Sequence, residues 1–245
     1  MGRILPQYGG RIGAQDKVFV RGPDAAAVLD HLTTRDMNRI APGRAAYLSV
    51  LTDDGTLADD AIVSNNGGDE WMIVHGSGDT MALLEASANG KNASIEFTDD
   101  LHDISVQGPK ALDILNAHCS IDLPAMKYFH HAEAELFGHP CRISRTGYSG
   151  ERGYEVFTSA AHAVDIWDKL ADAGVMPCSF TALDKVRIEA GLLFYGYDMT
   201  TDNTPGGSGP WLYCQSEQGG LPGQGGADGS RSLAQGAQCR PGHRP

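Results

Sequence analysis

The stretch VFVRGPDAAAVLDHL beginning at Val18 is echoed by ISVQGPKALDILNAH beginning at Ile104. Each reads as a strand, a Gly-Pro pair and an amphipathic helix. Gly22-Pro23 and Gly108-Pro109 give the strand a tight exit, and proline is tolerated in a first helical turn, where its missing N–H has no partner to lose. Ala25, Val28, Leu29 and Leu32 mark the apolar side of the first helix, and Ala111, Leu112, Ile114 and Leu115 that of the second. A chain that repeats this unit is predicted to be an α+β protein built from two related halves, in residues 18–100 and 101–205.

The segments between the echoes alternate in the manner of antiparallel sheets. AAYLSVL from Ala45 and TLADDAIVS from Thr56 flank a Thr52-Asp53-Asp54-Gly55 turn, and Asn65-Asn66-Gly67-Gly68 leads on to WMIVH, ending at His75. A helix over 79–88 and the strand SIEF follow. In the second half EAELF and CRISR form a hairpin across Gly138-His139-Pro140, and YEVF is the next strand. A helix from Ser159 is ended by Gly174, with Val164, Trp167 and Leu170 on one face. The last helix is expected over 182–193, with Val186, Ile188, Ala190 and Leu193 apolar. From Gly206 onward Gly, Gln and Pro dominate, too polar a mixture to offset chain entropy, so 206–245 is expected to be disordered.

The 245 residues carry 19 basic against 31 acidic side chains, a net charge of −12 that excludes the electrostatic footprint of a nucleic-acid binder. No stretch approaches the roughly 20 apolar residues that cross a bilayer, and MGRILPQYGGRIG lacks the apolar core of a secretory leader. A soluble cytoplasmic protein is expected. Five cysteines at wide spacings, without a C-x-x-C pair, read as incidental thiols, and adjacent His130 and His131 would point to opposite strand faces. No metal site is expected.

Two segments carry chemistry. SRTGYSGERGYE, over 144–155, has glycines that let backbone approach a flat heterocycle, an aromatic face in Tyr148, and in Glu155 a carboxylate able to accept a pair of N–H donors. Without a Gly-Lys-Ser/Thr ending it is not a phosphate loop. Asp59 and Asp60 interrupt a strand, where aspartate is disfavoured. They point to opposite faces, so at most one enters a given pocket and the other is expected in water; an Asp60 that faces a desolvated cleft could position or exchange a proton with a reacting amine.

Together with GPDAAAVLDHLTTRD, GRAAYLSVLTDDGTLADDAIV and ALDKVRIEAGLLFYGYDM, these segments resemble, in order and spacing, the tetrahydrofolate-dependent aminomethyltransferase family. Its best-known member is the T-protein of the glycine cleavage system; others demethylate dimethylsulfoniopropionate or methoxyaromatics, or serve sarcosine and dimethylglycine oxidation. The resemblance spans about residues 18–205. It implies the family's folate-binding fold, two ferredoxin-like antiparallel-sheet subdomains, and tetrahydrofolate as cofactor. It implies Asp60 as the catalytic aspartate, and Tyr47, His75, Tyr148, Glu155 and Arg187 as cofactor-binding. His75 stands where the T-protein has a pocket asparagine, and Leu183 where it has an arginine. The implied partner is a small methylated or aminomethyl donor, with a lipoyl carrier protein one way of bringing it.

Residues 1–17 depart from the family's opening segment, and its C-terminal barrel is expected to be absent. Residues 206–230 can be given codons that, read one base later, spell AGLGLGFTVSLNKADFRGKAALMAA, which the family carries after its Thr-Pro segment. A frameshift near Pro205 is therefore expected, leaving a shortened chain that does not turn over by itself. The alternatives are a non-catalytic folate-binding protein of the iron–sulfur assembly type, or an inactive gene fragment.

Overall fold

The computed structural model describes residues 3–5, 15–76 and 79–206. Eleven strands and five α-helices are present among them: β1 (Arg3–Leu5), β2 (Asp16–Arg21), α1 (Ala25–Leu32), β3 (Arg44–Leu51), β4 (Leu57–Gly67), β5 (Glu70–His75), α2 (Thr80–Ala88), β6 (Ser94–Thr98), β7 (Leu101–Gln107), α3 (Ala111–Asn116), β8 (His131–Leu136), β9 (His139–Ser144), β10 (Gly153–Ser159), α4 (Ala160–Asp172), β11 (Met176–Pro177) and α5 (Phe180–Glu189). The expected α+β class with two sheets is what is found. No barrel occurs among the described residues. The expected disorder over 206–245 and the frameshift reading concern residues that lie, apart from Gly206, outside the described ones.

Chain contacts divide the protein into two units. The first comprises 18–42, 46–97 and the residues from Phe194 on; the second comprises the residues up to Lys17, 43–45 and 98–193. The division falls inside β2, so Lys17 belongs to the second unit although Val18 belongs to the first.

In the first unit the strand order is β3-β4-β5-β2-β6. β4 and β5 are antiparallel, with Ala61 opposite His75 and Val63 opposite Ile73. The face carrying Ala61, Val63, Trp71 and Ile73 packs with Val28, Leu29 and Leu32 of α1 and Leu84 of α2 into one core. All four apolar positions expected of α1 are buried.

In the second unit the order is β11-β1-β7-β10-β9-β8, with β1 parallel to β11 and antiparallel to β7. Ile104, Val106, Ile143, Tyr154 and Val156 face Ala111 and Leu115 of α3 and Ala163, Ile166 and Leu170 of α4. The stripe on α4 is shifted from the expected one: Leu170 is buried and Trp167 packs against the core as expected, but Val164 is exposed and Ala163 and Ile166 are buried instead. α5 also differs. Ser179 caps it by accepting from the Ala182 N–H at 3.3 Å, so it begins earlier than expected, and Ile188 lies in solvent while Leu183 and Arg187 are buried.

The echo survives at the level of single hydrogen bonds. Gly22 and Gly108 adopt φ of 120° and 111°, which only glycine takes up readily. The Gly22 N–H donates to Asp69 O and the Gly108 N–H to Arg152 O, each at 3.0 Å; Ala25 N–H returns to Gly22 O and Ala111 N–H to Gly108 O, each at 2.9 Å. The prolines sit in the turn ahead of each helix, not inside it, since α1 starts at Ala25 and α3 at Ala111.

Candidate functional site

Along β7 the polar residues Asp103, Ser105 and Gln107 alternate with Ile104 and Val106, so the second sheet has one apolar and one polar face. Glu155 of β10 lies opposite Ser105 on one side and Ser144 of β9 on the other. This polar face is buried: Asp103, Ser105, Gln107, Ser144, Thr146 and Glu155 are all under a tenth exposed, and Lys17 is 2% exposed.

The Thr146 hydroxyl donates to Glu155 and lies 2.9 Å from the Ser144 hydroxyl. Burial raises the Glu155 carboxyl above its ordinary range, opposed by the Thr146 hydrogen bond and the charge of Lys17. Asp103 is pushed well up by burial and by the charge of Glu155, and Lys17 draws it back. Lys17 itself is lowered by burial, against the pull of Asp103, Asp16 and Glu155. One oxygen of Asp103, Oδ1, is buried without a hydrogen-bond partner among the described residues.

Two glycines of the 144–155 segment, Gly147 and Gly153, admit a side chain of the chain's own, that of Gln107. A Cβ on Gly147 would meet Gln107 Oε1 at 2.1 Å and one on Gly153 at 1.7 Å. The Gln107 carboxamide fills the space, its Nε2 donating to Ser105 Oγ at 3.0 Å and to the Thr146 carbonyl at 3.2 Å. Gly153→Ala should therefore displace Gln107 and leave buried polar groups unpaired, lowering unfolding stability by about 1 to 3 kcal/mol. Denaturant titration checks this; Gln107→Ala in the same background should recover part of the loss by making room.

Tyr148 is half-buried and its hydroxyl donates to the Leu193 carbonyl. Arg187, 5% exposed, reaches Asp184 Oδ1 at 2.7 Å and the Leu192 carbonyl at 3.1 Å. Both thus hold the segment that leaves α5. Cys119 and Cys141 are free thiols, and burial pushes Cys141 up to about 12, which makes it inert as a nucleophile. Cys214 and Cys239 lie outside the described residues.

In the first unit the structure brings Asp60 and Tyr47 together, the phenol donating to Asp60 Oδ2 at 2.8 Å. Burial raises the Asp60 carboxyl to about 6, with the Tyr47 hydrogen bond opposing and the charge of Asp59 adding. Asp59 is not in water as expected: it is 1% exposed. Its Oδ2 takes the Thr80 hydroxyl at 3.0 Å and lies 3.2 Å from His75 Nδ1, and its Oδ1 takes the Asp60 N–H at 2.8 Å. His75 is 2% exposed, and its Nε2 is buried without a partner among the described residues. Burial and the charges of Asp59, Asp79 and Asp60 raise the Tyr195 phenol.

The sequence pointed to neither Lys17, Asp103 and Gln107 nor the role of Asp59. The polar alternation of Asp103, Ser105 and Gln107 was a usable signal; the partnership of Asp59 and His75, set by strand pairing, was not. No group of three or more His, Cys, Asp or Glu suited to a metal ion occurs among the described residues.

Residues 13–215 match the family model of the GCVT N-terminal domain. The gamma subunit of heme-dependent oxidative N-demethylase from Ectopseudomonas mendocina is 47% identical over 188 residues, covering 74% of this chain and 49% of the relative. An aminomethyltransferase from Deinococcus deserti is 36% identical over 190 residues, covering 76% and 53%. Among solved structures, the glycine cleavage system aminomethyltransferase T from Bartonella henselae superposes with a TM-score of 0.83 at 25% identity, covering 96% of this chain and 64% of that one. The chain spans about half the length of the curated relatives it matches.

Proposed function

Because the chain belongs to the GCVT N-terminal domain family, we propose that it serves the transfer of a one-carbon unit, aminomethyl or methyl, to tetrahydrofolate. The observation that carries this reading is the buried polar face of the second unit, where Glu155 is 6% exposed and the neighbouring Asp103 Oδ1 has no hydrogen-bond partner among the described residues. A reduced pterin is flat and rich in N–H donors, so it fits groups of this kind. Tetrahydrofolate, when bound, supplies the nitrogen that takes up the carbon unit.

Glu155 accepts from the pterin edge, Tyr148 offers a flat apolar face, and Arg187 acts through the segment it anchors. Asp60 holds or moves a proton at its Oδ atoms. A carboxyl at about 6 exchanges a proton readily near neutral pH, and the Tyr47 hydroxyl keeps it oriented.

The finer reading is that the carbon donor is a methylated amine and that the chain works alongside other subunits. The gamma subunit of an N-demethylase, at 47% identity, supports it. Leu183 also supports it, since it removes the fixed cation that the T-protein resemblance would place there.

Isothermal titration of the chain with tetrahydrofolate tests the proposal. Glu155→Gln turns an acceptor into a donor and leaves N–H facing N–H. That mispairing costs about 1 to 3 kcal/mol, roughly tenfold to a hundredfold in affinity. A wild-type chain that takes up no tetrahydrofolate overturns the reading.

A further inference from the structure

His75 closes β5, and Thr80 opens α2 a few residues later. Between them in space stands Asp59, whose two oxygens both accept: Oδ1 from the Asp60 N–H at 2.8 Å, Oδ2 from the Thr80 hydroxyl at 3.0 Å, with His75 Nδ1 at 3.2 Å from the same oxygen. All three groups sit in almost complete burial, with His75 at 2%, Asp59 at 1% and Thr80 at 0% exposed. An ionised carboxylate only accepts, so the imidazole nitrogen facing it must carry hydrogen. In the neutral ring the other nitrogen is then a bare acceptor, and it is this atom, Nε2, that is buried without a partner among the described residues.

We propose that Asp59 is a positioning residue that fixes His75 as the Nδ1–H tautomer and so presents Nε2 as a hydrogen-bond acceptor to an N–H group of the ligand. The inference rests on the folate reading given above. It assigns a task to a residue for which the sequence suggested none, and it makes the site select a donor: a ligand atom without hydrogen cannot satisfy Nε2. An asparagine at the position of His75 would present either an acceptor or a donor by turning over its amide, whereas the ring held by Asp59 presents one only.

Asp59→Asn isolates this role, because the substituted amide has one way to settle. The Asp60 backbone N–H can only donate, so the amide oxygen must stay where Oδ1 was. The NH₂ group then replaces Oδ2, facing Thr80 and His75. The threonine hydroxyl turns to accept, and the ring has to shift its hydrogen to Nε2 to leave Nδ1 free. An N–H would then point where an acceptor is needed, as happens when the orienting aspartate of a Ser-His-Asp triad is replaced by asparagine.

The test combines ¹⁵N spectra of the histidine side chains in the full chain, which report the tautomer without any ligand, with isothermal titration of tetrahydrofolate. The wild type should show His75 with its hydrogen on Nδ1, and Asp59→Asn should move it to Nε2 and weaken tetrahydrofolate about tenfold to a hundredfold. Asp59→Glu should restore part of the affinity if its longer carboxylate regains Nδ1. A wild-type ring with hydrogen on Nε2 overturns the positioning role whatever binds. Unchanged affinity in Asp59→Asn, with Glu155→Gln weakened, overturns this inference and leaves the folate reading standing. No uptake by the wild type overturns the folate reading and the ligand contact of Nε2 with it.

Discussion

Replacing Lys17 by methionine should lower unfolding stability by about 3 to 5 kcal/mol at pH 7, the usual cost of removing one partner from a buried charge cluster. For a chain of this length that is a fall in melting temperature on the order of 10 °C. Lys17 is 2% exposed, and its ammonium offsets the charges of Asp103 and Glu155, both of which burial already disfavours. Without it the two carboxyls must take up protons or stay charged in a poorly solvated place. The penalty should shrink as the pH falls toward 5, since protonation becomes easier there. Adding Asp103→Leu should recover much of the loss, because an apolar side chain asks nothing of the missing cation. Equal thermal unfolding of wild type and Lys17→Met across this pH range would mean that the three charges are not coupled.

Asp60→Asn should do the opposite and stabilise the chain at neutral pH. The ordinary aspartate value is 3.8 and the folded value about 6, so the folded state binds the proton more tightly than the unfolded one. Stability from this group is therefore complete below about pH 4 and is lost as the pH rises through 6. At 1.36 kcal/mol per pH unit the loss at pH 7 is at most about 3 kcal/mol, and solvent at this partly exposed carboxyl reduces it. Asparagine keeps an oxygen for the Tyr47 hydroxyl and never ionises. Melting curves of the two chains should accordingly converge near pH 4 and separate by pH 7. If they stay parallel, Asp60 does not carry a raised value. Under the proposed proton-transfer role, this cost at neutral pH is stability given up for a carboxyl that can exchange a proton there.

Much of this architecture could be read from residue order. α1 was legible because Ala25, Val28, Leu29 and Leu32 follow the helical period and bury together. On α4 the same reasoning found Leu170 and Trp167 but misplaced Val164, which is more apolar than Ala163, yet the helix turns Ala163 and Ile166 to the sheet with Leu170. Alanine carries little weight in an apolar count while fitting a close helix-to-sheet approach well. α5 misled for a related reason. Its buried positions are Leu183 and Arg187, and an arginine with its charge met by Asp184 and a carbonyl can be as deeply buried as a leucine.

The site was legible to the extent that chemistry is local. Asp60, Tyr47 and Glu155 were named from the family resemblance, and the structure pairs Asp60 with Tyr47 and buries Glu155. The buried state of Asp59 was not legible, because alternation assigns a face without saying whether that face is wet. Here it is dry, and Thr80 and His75 arrive from other elements to meet the carboxylate.

The paired glycine geometry bears on how the chain reaches its fold. The Gly22 N–H finds Asp69 and the Gly108 N–H finds Arg152 across nearly the same length of chain. Loop-closure entropy grows only with the logarithm of length, so the two ring closures are matched in cost. These two closures give neither unit a kinetic head start over the other. The order in which they form is left to side chains, and each set has its own polar cost: one closure must bring Asp59 and His75 out of water, the other Lys17, Asp103 and Glu155.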